Sequence, residues 1–238
     1  MLFRSRRYLR LRELGRVYGL LSRDVARSKN RLKSLVRRRG IDCAGEGIYK
    51  PAQREDWLGK LPAELRSIGE LVGVELDCLV ELKGEAEEAM VRESRRYPVS
   101  RTLATLPGLG PIRVAQMLPI VITPHRFRTK RQFWSYCGFG IVTRSSADWV
   151  RVDGRWVRAR LPLTRGLNRN FNRTLKGIFK GAATTVIAHA APNPFRAAYD
   201  RLCEQGTKPN LAKVTVARKL AATALAMWKT EEAYDPKR

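Results

Sequence analysis

Residues 103–118 read LATLPGLGPIRVAQML. Two apolar half-helices flank the break Pro107-Gly108-Leu109-Gly110. Pro107 cannot continue a helix, because its ring fixes φ and removes the amide donor. Gly108 and Gly110 supply the backbone angles of a tight reversal. The spacing predicts a helix-hairpin-helix over 99–118. Its hairpin amides, and those opening the second helix, aim unshared donors at one spot. A phosphate oxygen fits there without any base being read. On this reading Pro107, Gly108, Leu109 and Gly110 grip phosphate, Arg113 stands beside them, and the glycines let a nucleic-acid backbone approach. The plain alternative is an αα-turn with no ligand. The basic flanks Arg101, Arg113, Arg126, Arg128, Lys130 and Arg131 favour phosphate.

Working outward, the whole chain is cationic. Its 238 residues carry 47 Lys+Arg against 22 Asp+Glu, a formal net charge of +25. Self-repulsion opposes folding at such a charge, so a polyanionic partner is the expected reason for it. Nucleic acid ranks first, an anionic membrane second and a ribosome-like assembly third. Cys43, Cys78, Cys137 and Cys203 lie far apart, with only His125 and His189 to join them. No metal site and no disulfide framework is expected, and reduced cytoplasmic thiols are the default. The N-terminus lacks the apolar run of a secretory signal, and no run approaches the ~18 apolar residues of a membrane span. The expected location is the cytoplasm, with no membrane contact.

Upstream of the hairpin lies a helical arm. Leu11, Leu14, Tyr18, Leu21, Val25, Ser28, Leu32 and Leu35 recur in alternating steps of three and four, a heptad seam that ends near Gly40. Residues 41–60 read as a loop, interrupted by Gly45, Gly47 and Pro51. A second helix is predicted from Pro62 to Arg95. Residues 1–40 carry 14 basic and 2 acidic residues, whereas residues 61–93 carry 9 acidic and 3 basic. A basic helix followed by an acidic one predicts an antiparallel hairpin or a pair exchanged between subunits. Self-association through this coiled coil, as a dimer or tetramer, is the expected use of the arm. The domains are therefore drawn as 1–97 and 98–238.

Downstream, Arg128–Tyr136 reads as helix and Gly138-Phe139-Gly140 breaks it. Residues 148–160 alternate around Asp153-Gly154, a β-hairpin turn signal. Leu167–His189 reads as a helix with an apolar face. Asn193-Pro194 opens another in N-cap and N1 fashion, and the last runs from Asn210 to about Trp228. The expected fold is mainly α: a helical arm, then a helix-hairpin-helix domain with one small β-hairpin. Asn168, Arg169, Asn170 and Arg173 stand at the expected helix head, where amide donors and cations would meet phosphate.

The order Leu103…Pro107-Gly108-Leu109-Gly110-Pro111, Phe127…Phe133-Trp134…Tyr136-Cys137-Gly138-Phe139-Gly140, Thr143-Arg144-Ser145-Ser146 and Arg165-Gly166-Leu167-Asn168-Arg169-Asn170 resembles the C-terminal transposase domain of the IS one-ten family of insertion-sequence transposases. These are related to the Piv invertases. The resemblance extends over essentially the whole chain, with Asn30-Arg31-Leu32-Lys33 and Arg39-Gly40-Ile41 similar to the family's coiled-coil entry. It implies a catalytic serine in the 143–147 loop. Counting from Gly138 in the family pattern reaches Ser146, with Ser145 the second choice. Ala147 stands where the pattern has glycine. The resemblance further implies DNA as partner, a structured guide RNA, and Mg²⁺ held by an N-terminal RuvC-like carboxylate domain ahead of the coiled coil. Asp42, Glu46, Glu55 and Asp56 match no position of that carboxylate set. The chain is thus expected to lack that domain and to bind no cofactor itself.

A serine that cuts DNA needs positive charge around the phosphate it attacks. Arg144, Arg151, Arg155 and Arg165 are near enough in sequence to supply it. Two functions follow from different classes. One is the serine-bearing part of a transposase that exchanges strands through a phosphoserine. The other is a dimeric nucleic-acid-binding fragment that does not cut.

Overall fold

The computed structural model describes residues 6–143, 149–158, 164–189 and 193–236. The chain divides into two compact units, Met1–Ser94 and Arg95–Arg238.

The first unit is a helical hairpin with a cap. Helix α1 (Leu9–Arg37) follows a 3-10 turn at Arg6–Tyr8 and packs against α3 (Ala63–Ser94). The pair is antiparallel: Arg10 meets Glu93 near one end, and Ser28 donates to Glu75 at 3.1 Å towards the other. The seam buries Leu11, Ser28 and Leu32, then shifts to Val36 while Leu35 is only half-buried. A straight helix drifts against a strict heptad, so the buried line advances by fours over its last turns. Gly40, at φ +74, marks the stop.

Residues 41–60 are not a loop. They hold a 3-10 turn at Gly47–Tyr49 and helix α2 (Pro51–Leu58), opened by Pro51 at its first position. Eight residues are too few to display a helical period in sequence. Ile48, Leu58 and Leu61 close over Leu32, Val36, Cys43 and Leu76, giving the hairpin a core at one end.

Arg54 locks this cap. Its side chain is 9% exposed and binds Asp77 of α3 through both terminal nitrogens, each at 2.6 Å. It also donates to the Tyr49 carbonyl at 3.2 Å. The hydrogen bonds to Asp77 hold its guanidinium charged beyond the ordinary arginine range. Gly73 makes room, since a Cβ there would lie 2.8 Å from Arg54 Cδ.

The second unit is built around α9 (Pro209–Thr230). Helices α4 (Pro98–Ala104), α6 (Lys130–Tyr136), α7 (Arg173–Ala188) and α8 (Pro194–Glu204) all pack on it. Helix α9 buries Ala212, Val216, Ala217, Leu220, Ala221, Ala224, Leu225, Met227 and Trp228, around much of its circumference, as a central helix should. Ala182 and Ala183 of α7 and the alanines of α9 let neighbouring axes approach closely. Phe133 links the layers, edge-on to Phe127 at 4.9 Å and to Phe179 at 5.8 Å.

Two small antiparallel sheets complete the unit. Strands β1 (Ile141–Thr143) and β4 (Thr164–Leu167) pair, and β2 (Trp149–Val152) pairs with β3 (Arg155–Arg158). The helix expected from Leu167 starts later, at Arg173. Leu167 closes β4, and Asn172, not Asn168, caps α7 by accepting from the Leu175 amide at 2.9 Å. Asn168 instead makes an Asx turn, accepting from the Asn170 amide at 3.0 Å, which competes with helix there.

The thiols differ in access: Cys43 and Cys137 are buried, Cys78 is exposed and Cys203 is half-buried. Burial also pushes the Cys137 thiol well above its ordinary range. In iodoacetamide labelling of native protein at pH 8, Cys78 reacts first. Cys43 and Cys137 label only after denaturation, because the thiolate is the nucleophile and needs access. Equal rates at Cys78 and Cys137 would contradict this core.

Candidate nucleic-acid interface

The hairpin of residues 105–110 joins α4 to α5 (Pro111–Val121). Leu103, Leu106 and Leu109 are buried and anchor it. Leu109 therefore serves the fold with its side chain and can offer a ligand only its backbone. The Leu109 amide bonds to the Leu106 carbonyl at 3.0 Å, and the first α5 hydrogen bond runs from Val114 to Gly110 at 3.1 Å. The Ile112 and Arg113 amides thus precede the first intrahelical donor, Val114, and remain at the helix mouth.

The two glycines have different reasons. Gly108, at φ +77, lies on α7: a Cβ there would stand 2.6 Å from the Ala182 carbonyl oxygen. Its neighbour is the protein's own helix, which corrects the expectation that its missing side chain makes room for a nucleic-acid backbone. Gly110, at φ +28, would place an added Cβ with nothing within 4 Å, so it faces open space at the α5 mouth. Arg113 is half-buried, donates to the Gly108 carbonyl at 2.6 Å and lies along Gly181 of α7. It braces the hairpin against α7.

The outer face of α7 adds cations. Arg173, Lys176 and Lys180 recur at steps of three and four and so share one face. Lys176 stands 4.2 Å from the Phe171 ring. Burial first, and then the like charge of Lys180, lowers its pKa below the usual lysine range. An anion placed here would relieve that crowding. Lys176 and Lys180 went unnoticed in sequence, although their spacing from Arg173 was the available signal.

The other expected residues are dispersed. Arg128 and Lys130 open α6, where Thr129 caps by accepting from the Gln132 amide at 3.4 Å. Lys130 lines a cavity of about 710 Å³ with Trp134, Phe195, Lys219 and Tyr234. Asn168 is engaged by the fold, its amide donating to the Asn170 carbonyl at 2.7 Å. Arg169 and Asn170 are exposed in the loop before α7. Arg151 and Arg155 are exposed on the β2–β3 hairpin. Arg144, Ser145 and Ser146 lie outside the described residues, as does the side chain of Arg165.

The turn leading towards the serines is held by packing and hydrogen bonds. Gly138, at φ +76, abuts Phe171, whose ring would lie 2.5 Å from an added Cβ. Trp134 donates to the Arg218 carbonyl at 2.9 Å while Arg218 donates back to the Phe139 carbonyl at 2.8 Å. These bonds tie Gly138-Phe139-Gly140 to α9, and β1 leaves from there, ending at Thr143.

Residues 100–200, from within α4 to α8, match the family described as Transposase IS116/IS110/IS902. Residues 100–200 are thus similar to the transposase domain of that family. The y4pF/y4sB protein of Sinorhizobium fredii, which is named as a transposase, is 24% identical over 194 residues. That alignment covers 81% of this chain and 46% of the relative, so the chain spans about half the length of the relative it matches. The matched region contains the hairpin, the Gly138–Gly140 turn, both small sheets and α7. No described helix is long and apolar enough to cross a membrane. Among the described residues no three His, Cys, Asp or Glu side chains converge. The described residues therefore do not fit a Mg²⁺ ligand set.

Proposed function

We propose that this chain is the serine-bearing part of an insertion-sequence transposase that grips DNA, with a structured guide RNA as second partner, and takes part in strand cleavage and exchange. The observation that carries the reading is the hairpin braced on α7. It sets the α5 mouth amides beside a helix whose outer face is cationic, in a unit with 27 Lys+Arg against 7 Asp+Glu. Amides and cations of this kind hold phosphates without reading bases. The coiled-coil arm would bring copies together as a dimer or tetramer.

Ser146, with Ser145 as second choice, is the proposed nucleophile. Its Oγ attacks phosphorus, its proton passes to a base, and the bond from phosphorus to the departing strand's oxygen breaks. That oxygen leaves as a hydroxyl once protonated. The phosphoserine retains the bond energy, so attack by a second strand's hydroxyl restores a phosphodiester without ATP. Arg144, Arg151, Arg155 and Arg165 would balance the charge that develops.

The test is an SDS-resistant protein–DNA adduct, formed with element-end DNA, Mg²⁺ and a full-length relative present. Wild type and Ser145→Ala are expected to form it. Ser146→Ala is expected to lose it while its duplex affinity changes less than about twofold, since a hydroxyl contributes little to phosphate gripping. Adduct from Ser146→Ala at the wild-type level would remove Ser146 from the role. No adduct from wild type, with duplex binding intact, would leave the second reading, a nucleic-acid-binding module that does not cut. The amides and cations described above suffice for that module.

A further inference from the structure

The β2–β3 hairpin is built unlike the rest of the second unit. Its turn, Asp153-Gly154, has φ +49 and +78, positive at both central positions as a tight two-residue hairpin requires. Its register pairs Arg151 with Trp156. Side chains alternate along a strand, so Trp149 and Arg151 share a face, and Trp156 joins them from across the ladder. Trp149 is 55% exposed and Trp156 is 65% exposed. The opposite face is bare as well, with Val152 at 49% and Val157 at 41%. Two tryptophans held this far out of a core are uncommon, and a grouped exposed apolar surface marks a contact site.

We infer that the Trp149–Arg151–Trp156 face is a stacking platform for unpaired nucleotides. An indole offers a flat π-face, and every base offers one in return. In a duplex those base faces are hidden in the stack, so only an unpaired strand can use the platform. Charge complementarity selects a nucleic acid over an apolar protein surface. Arg151 donates from Nε to the Gly154 carbonyl at 3.3 Å, and its terminal nitrogens have no partner among the described residues. Arg155 is exposed on the opposite face of the ribbon, and Asp153 is the one acid within residues 149–158. Diagonal neighbours on such a ribbon stand about 7–8 Å apart, room for one base on each ring or one between them. The platform follows Ser146 by three residues in sequence. This inference rests on the nucleic-acid reading above and adds the substrate class: a melted DNA strand or an RNA loop.

The test uses the full chain and fluorescence anisotropy, with labelled oligo(dT), oligo(U) and a duplex of equal length. Trp149→Ala and Trp156→Ala should each weaken single-strand binding about ten-fold, the usual scale for one aromatic–base stack. Duplex affinity should change less than about twofold, because phosphate contacts carry it. Trp156→Tyr should retain most of the single-strand affinity, and Trp156→Leu should not. Preference for oligo(dT) identifies the melted DNA strand, and preference for oligo(U) the RNA loop. The inference is overturned if Trp156→Leu binds single strands like wild type. It is equally overturned if both alanine variants leave single-strand binding unchanged, or if they change the sedimentation of the protein alone, which marks a contact between copies. Wild type that binds single strands but no duplex would refute the phosphate-gripping hairpin and leave the platform standing.

Discussion

Gly108→Val is expected to undo the hairpin. At φ +77 a β-branched residue is strained, and its Cβ would enter the space of the Ala182 carbonyl and the Val186 side chain. Positive φ and overpacking together cost about 4 kcal/mol. The second unit's melting temperature should fall by about 10 °C. Duplex affinity should drop with it, because α5 leaves α7 and the mouth amides lose their cationic neighbours. Gly110→Ala separates conformation from packing. Its Cβ meets nothing within 4 Å, so only the backbone term of about 1–2 kcal/mol applies. Arg113→Ala removes the brace on the Gly108 carbonyl and should fall between the two. If Gly108→Val melts and binds like wild type, the hairpin is not docked on α7 and the proposed interface fails.

Asp77→Ala should be the most damaging exposed-side change in the first unit. Arg54 is buried and Asp77, at 41% exposure, is its carboxylate partner. Removing the carboxylate leaves a buried guanidinium with only backbone carbonyls. A fully buried pair broken this way costs about 3–5 kcal/mol. Because Asp77 is partly solvated, a loss of about 2–3 kcal/mol is expected. For a unit of this size that lowers the melting temperature by about 10–20 °C, readable by circular dichroism. The double variant Arg54→Met/Asp77→Leu should recover most of the loss, since apolar packing replaces the pair without a stranded charge. Asp77→Ala melting within a degree or two of wild type would show that the cap is held by Ile48, Leu58 and Leu61 instead.

Much of the architecture was readable from local rules. The alternating steps from Leu11 to Leu35, the reversal at Pro107–Gly110, the Asp153-Gly154 turn and the Asn193-Pro194 helix start each involve residues a few positions apart. Side-chain periodicity and φ restrictions act over that range, so sequence states them directly. The stretch 41–60 escaped because its helix is short and its glycines resemble a loop. The helix expected from Leu167 starts only at Arg173 because Asn168 and Asn172 are both able to accept from a backbone amide, and the β1–β4 pairing decided between them.

The amino-acid sequence alone determined the helical arm, the glycine-kinked hairpin and the excess of positive charge, since each depends on residues close together in the chain. Tertiary structure decided which of those residues face a ligand. It turned Gly108 towards Ala182, Arg113 towards the hairpin carbonyl and Leu109 into the core, and it left Gly110, Lys180, Trp149 and Trp156 outside. The reason is that occupancy of the space beside a side chain is set by whichever distant segment packs there, and no local pattern carries that information.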